Sequence, residues 1–225
     1  MPVYSTTTTI QPGSWISIYG TNLATDTVVW KGDFPTSLGG VSVTVNGKPG
    51  HLWFVSPTQI NLQAPDDSAT GSVNVMVMTP TGSFTSTVNL GSASPSLSLL
   101  DTKHVAALTP NPDGTYDIVG PAGAFAYPTR PVVPGDALIL YGVGFGPTDP
   151  PVKAGQAFTS AAATINPVGV TVGGIQAKVD YSGLVGAGLY QINLTVPPGT
   201  PSGDQTIRVS VSGLQSAATN VVTIR

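Results

Sequence analysis

The side chains that could do acid–base or nucleophilic chemistry are few. Only two histidines are present, His51 and His104, together with eleven acidic residues that are all aspartate. A Ser-His-Asp site needs a histidine held by a carboxylate beside an activated hydroxyl. His51 adjoins the turn-forming "NGKPG", His104 opens a linker segment, and no Gly-x-Ser-x-Gly elbow precedes a helix, so both read as surface residues. Without cysteine or glutamate, two separated histidines make no zinc site, and the usual glycosidase carboxylate choice is missing. Asp26, Asp66-Asp67 and Asp149 sit in loops where a hard cation could bind, but aspartate in a turn more often caps its own backbone. Gly142-Val-Gly144-Phe-Gly146 lacks the helix and ribose-binding acid of a dinucleotide loop and reads as a strand end or bulge. No catalytic residue, metal or cofactor is expected.

The aromatic residues are the stronger lead. Strand alternation puts Trp15 and Tyr19 on the face opposite Ile16 and Ile18, and Trp30 lies in the loop-like "TVVWKGDF" beside Lys31 and Asp33. An aromatic face left in water can stack on a sugar ring or a protein partner. Trp15, Tyr19 and Trp30 are therefore the candidate ligand-binding residues; the alternative is that they pack between modules. Trp53, in "HLWFVS", is assigned to core or rim.

The elements that must position these residues occur twice. "PGSWISIYG" at 12–20 answers "PGDALILYG" at 134–142, and "VTVNG" at 43–47 answers "VTVGG" at 170–174. "QINLQAP" at 59–65 answers "QINLTVP" at 191–197, and "TGSVNVMVMTPTG" answers "SGDQTIRVSVSG". The order is kept while the spacing between copies grows, so the second copy carries longer loops on the same strands. Apolar residues alternate with a period of two, as in Val41, Val43 and Val45, and Asn46-Gly47 and Gly173-Gly174 supply tight hairpin turns. The fold class expected is all-β: two tandem immunoglobulin-like β-sandwiches. Residues 1–92 form the first and 134–225 the second. Residues 93–133 are a linker with a β-hairpin turning at Asn111-Pro112-Asp113-Gly114, packed on the second module or at the interface. In "QINL", Ile60 and Leu62, like Ile192 and Leu194, point to the core; the amides opposite them face solvent or bond a neighbouring loop's backbone.

With 225 residues, 27 Gly, 21 Pro and 40% hydrophobic residues, the chain can bury two cores and has no room for long helices. Its net charge of −3 offers no basic patch to a phosphate backbone, so nucleic acid is not an expected partner. No apolar run is long enough for membrane insertion. The lysine-poor, Ser/Thr/Asn-rich surface is that of a secreted or cell-surface protein, with any export signal upstream of Met1.

"PGSWISIYGTNLA", "PTSLGGVSVTVNG", "VSPTQINLQAP", "PGDALILYGVGFGP" and "GLYQINLTVPPGTPSGD" together resemble a C-terminal domain family of secreted acidobacterial (Solibacter-type) proteins, itself similar to tandem IPT/TIG immunoglobulin-like domains. The resemblance spans nearly the whole chain and implies a non-catalytic, extracytoplasmic accessory module. It carries over no functional residues, and Trp15, Trp30 and Trp53 depart from its pattern. The function expected is binding or adhesion, with polysaccharide or another surface protein as partner. The competing reading is a structural stalk, spacer or filament subunit whose exposed edges pair with neighbours.

Overall fold

The structure, a computed structural model, describes residues 1–225. It contains strands and no helix, arranged as two tandem immunoglobulin-like sandwiches. In the first, one sheet joins Trp15–Tyr19, Gln59–Gln63, His51–Val55 and Val28–Val29 in that order. The facing sheet runs Thr9–Ile10, Gly82–Leu90, Gly71–Thr79, Val41–Val45 and Ser37–Leu38. Alternation decides what lies between them. Ile16, Val41, Val43, Leu52, Ile60 and Leu62 are buried and belong to one cluster that extends from Ile10 to Leu90.

The same pairings recur downstream. Ile16 lies opposite Leu62, and Leu138 lies opposite Leu194 in the pairing of Ala137–Val143 with Leu189–Thr195. Val41–Val45 pairs with Gly71–Thr79, as Val168–Val172 pairs with Gly203–Val211. Asn46-Gly47 and Gly173-Gly174 all have positive φ, as the two central positions of such hairpin turns require. The second cluster runs from Ala93 to Ile224 and is larger, because the intervening segment joins it. The strands Ala107–Pro110 and Tyr116–Ile118 form a hairpin that extends the sheet of Ala137–Val143 and contributes Ala107 and Val119 to that cluster.

The sandwiches meet through polar bonds as well as packing. Gln11 is buried; its Nε2 donates to the Gly146 carbonyl (3.2 Å) and the Tyr190 hydroxyl (3.0 Å), and its Oε1 accepts from the Gly146 amide at 2.6 Å. Tyr190 donates in turn to Gly146 O. Burial pushes the Tyr190 phenol up to about 12, so it serves as a neutral hydrogen-bonding group. Elsewhere in the junction, the Ala154 amide donates to Asp66 (3.1 Å) and the Gly155 amide to Gln63 Oε1 (2.9 Å).

Candidate functional site: an aromatic cleft at the junction

The face of Trp15–Tyr19 that turns away from the core carries Trp15, Ser17 and Tyr19, opposite Gln63, Asn61 and Gln59 of the neighbouring strand. The loop after Val28–Val29 folds back over this face. The Trp30 amide donates to Trp53 O at 2.9 Å, the Leu52 amide to Pro35 O at 2.7 Å, and a turn closed by the Lys31 amide on Asp33 Oδ1 (3.2 Å) brings Phe34 round. His51 secures its end, with Nδ1 3.1 Å from Phe34 O.

Four aromatic rings gather as a result. Trp15 lies edge-to-face with Trp30 (centroids 5.7 Å apart) and with Trp53 (6.2 Å), and near-parallel to Phe34 at 6.4 Å. Trp30 and Phe34 meet at 4.6 Å, interplanar angle 87°. Tyr19, 58% exposed, stands at the open end. Together they line a cleft of about 570 Å³. Its opposite wall is the turn Gly186–Leu189 of the second sandwich, and the Trp15 Nε1–H donates to Ala187 O at 2.6 Å.

The cleft floor is amide. Asn61 Oδ1 accepts from both the Ser17 hydroxyl and Gln59 Nε2, each at 2.8 Å. The Asn61 Nδ2 and the Gln59 Oε1 have no protein partner, so one donor and one acceptor are available to a ligand. The second "QINL" makes the same internal bond, Gln191 Nε2 to Asn193 Oδ1 at 2.8 Å. There the position of Trp15 is taken by Ala137, opposite Thr195. The amide pair is thus common to both copies, whereas the aromatic cluster belongs to the first alone. No charged residue lines the cleft.

The structure therefore brings Trp15, Tyr19 and Trp30 to one cleft, with Trp15 also bonded across the junction. Sequence reasoning missed Phe34 and the free amide groups. Trp53, assigned to core or rim, is 40% exposed and lines the cleft. It points outward by ordinary alternation with buried Leu52, and the register shift between Leu52 and Phe54 then returns Val55 to the core. The "QINL" amides bond to one another; it is the residue after the first copy, Gln63, that bonds loop backbone, donating to Gly13 O at 2.9 Å and accepting from the Gly155 amide at 2.9 Å.

His104 also needs correcting. Read as a surface residue, it is buried, with Nδ1 2.7 Å from Asp101 Oδ2 and Nε2 3.1 Å from Asp204 Oδ2. Both ring nitrogens are engaged by carboxylates, which leaves neither to act as a base. Burial raises the Asp101 carboxyl, but amides of Lys103 and His104 and the His104 ring donate to it and hold it down at about 2. The group ties the linker to the strand Gly203–Val211 and is structural.

Residues 2–95 match the family model of the IPT/TIG domain. Several solved structures resemble the chain along nearly its whole length. A Bacteroides ovatus protein, SGBP-B of a mixed-linkage glucan utilisation locus in complex with a heptasaccharide, is 12% identical (TM-score 0.39), covering 98% of this chain and 44% of its own. The plexin A4 extracellular region is 15% identical (TM-score 0.32; 98% of this chain, 17% of its own), and the surface layer protein SbsC, domains 4–9, is 14% identical (TM-score 0.28; 98% and 30%). The chain spans less than half of each. Comparison with curated proteins gives no match.

Proposed function

We propose that this chain is a non-catalytic, extracellular accessory module that holds a neutral polysaccharide in the cleft between Trp15, Trp30, Phe34 and Trp53. The observation that carries this reading is the combination of ring faces with an unpaired amide donor and acceptor, and no charge. The C–H face of a pyranose stacks on an aromatic ring, and its hydroxyls pair with amides, so an uncharged glycan needs little else. An anionic polysaccharide would want arginine or lysine, and the cleft has neither. The resemblance to domains of secreted acidobacterial proteins and the lysine-poor surface support an extracytoplasmic setting.

Retention on insoluble neutral and anionic polysaccharides, followed by titration calorimetry on soluble fragments, tests the proposal. Trp30→Ala and Trp53→Ala should each lose about 1 kcal/mol of binding, a several-fold rise in Kd, with an unchanged circular dichroism spectrum. Binding to the neutral glycan should vary little with salt, because no ion pair is screened. Equal retention of wild type and both variants would place any glycan site elsewhere. Retention on no glycan would favour the spacer reading, which the hydrogen-bonded junction of the two sandwiches supports.

A further inference from the structure

Sheet edges leave backbone donors and acceptors unpaired, and folded proteins cover, shorten, bend or charge them. Most edges here are so treated. Met1–Val3 lies along the outside of Trp15–Tyr19, with the Ser17 amide donating to Met1 O at 2.8 Å. The free part of Lys178–Gly186 carries the Lys178–Asp180 ion pair and a bulge between Val179 and Tyr181. In the second sandwich, Val221–Ile224 is covered by the linker, through the Val105 amide on Val221 O (3.0 Å) and the Val132 amide on Thr223 O (3.1 Å).

The strand Gly82–Leu90 is the exception. Thr9–Ile10 pairs only with Asn89 and Leu90, so from Gly82 to Val88 the strand has a neighbour, Gly71–Thr79, on one side alone. This stretch contains no proline and no charge, and no charged residue occurs anywhere between Asp67 and Asp101. Gly82 pairs with Thr79 across a two-residue turn, and the Asn89 amide points outward to Thr8 O at 3.2 Å. By alternation, the amides and carbonyls of Ser83, Thr85 and Thr87 also point outward, with no partner. Phe84 on this strand is 56% exposed.

We propose that Gly82–Leu90 pairs antiparallel with the same strand of a second copy of this chain, about a twofold axis at Thr85. An edge that pairs with itself about a twofold axis sets the axis residue against its own copy, so a charge at the axis would meet a like charge; this edge has none. With the axis at Thr85, that residue faces its own symmetry mate and Ser83 faces Thr87 of the second copy. All three are outward-bonding positions, so each can exchange backbone bonds. Phe84 then lies beside Ser86 of the second copy, and its exposed ring is covered. The inference does not depend on the glycan reading, because none of these residues lines the cleft.

Sedimentation of the full chain from micromolar to millimolar concentration tests it. The mass should rise from the monomer's 22.8 kDa to twice that value, with concentration-dependent hydrogen-exchange protection at Ser83, Thr85 and Thr87. Thr85→Lys and Thr85→Asp should each be monomeric with native near-ultraviolet dichroism, and their mixture should associate one-to-one as opposite charges meet at the axis. Thr85→Pro, which removes an outward donor, should also be monomeric. A wild type that stays monomeric at millimolar concentration, a dimer that persists in Thr85→Lys and Thr85→Pro, growth beyond a dimer, or a mixture that fails to associate would each overturn the proposal.

Discussion

Asp101 and Trp15 show how differently two residues can be tied to their surroundings. Asp101 takes two backbone amides and the ring of His104, and the sum holds its carboxyl at about 2, below the ordinary 3.8. A folded-state value below the unfolded one contributes stability that is present above the unfolded pKa and lost as pH falls through the folded one. The Asp101 contribution should therefore be intact at neutral pH and disappear between about pH 4 and pH 2. Thermal melts of wild type and Asp101→Asn should differ at pH 7 and converge on acidification; a gap that stays constant down to pH 2 would refute this. Trp15 was legible as a strand residue facing away from the core. What the alternation could not show is that its indole N–H is already taken by Ala187, far along the chain, leaving it part wall and part tether.

At the scale of elements, the turn Gly186–Leu189 decides the width of the cleft. Gly188 has φ of +64°, and a Cβ there would lie 2.9 Å from Gly13 O and from Trp15 Cδ1. Only glycine meets both demands at low cost. Gly188→Val should strain the turn by about 1–3 kcal/mol and push it off Trp15. The expected outcome is weaker glycan retention and a changed tryptophan emission, with both β-cores still present by far-ultraviolet dichroism. Emission and retention like those of wild type would show that the turn does not shape the site. The hairpin strands themselves were readable, since Val-x-Val-x-Val followed by Asn-Gly or Gly-Gly leaves little choice. The register shift that keeps Val55 in the core after Leu52 was not, because a bulge adds one residue without any compositional mark.

For the whole molecule, the question is whether two cores behave as one. The first cluster ends at Leu90 and the second begins at Ala93, and Gln11 joins them by bonds to Gly146 and Tyr190 that water cannot readily replace at a buried site. Removing Gln11 orphans the Gly146 amide, at a cost of about 1–3 kcal/mol. Wild type should melt in a single calorimetric transition, and Gln11→Leu should lower its midpoint or resolve it into two. Two transitions already present in wild type would mean that the junction does not couple the cores.

The sequence by itself determined the strands and their repetition, because period-two alternation and turn chemistry are local and this chain writes them twice. It also named Trp15 and Tyr19 as strand residues facing away from a core, and Trp30 as an aromatic residue in a loop. Only the tertiary structure decided that these rings converge with Phe34 and Trp53, that the second sandwich supplies a wall, and that His104 is enclosed by Asp101 and Asp204. Those outcomes rest on contacts between residues distant in the chain, such as Trp15 with Trp53 and Ala187 and His104 with Asp204, set by a loop that folds back and by the docking of two modules, and neither leaves a periodic trace in the chain.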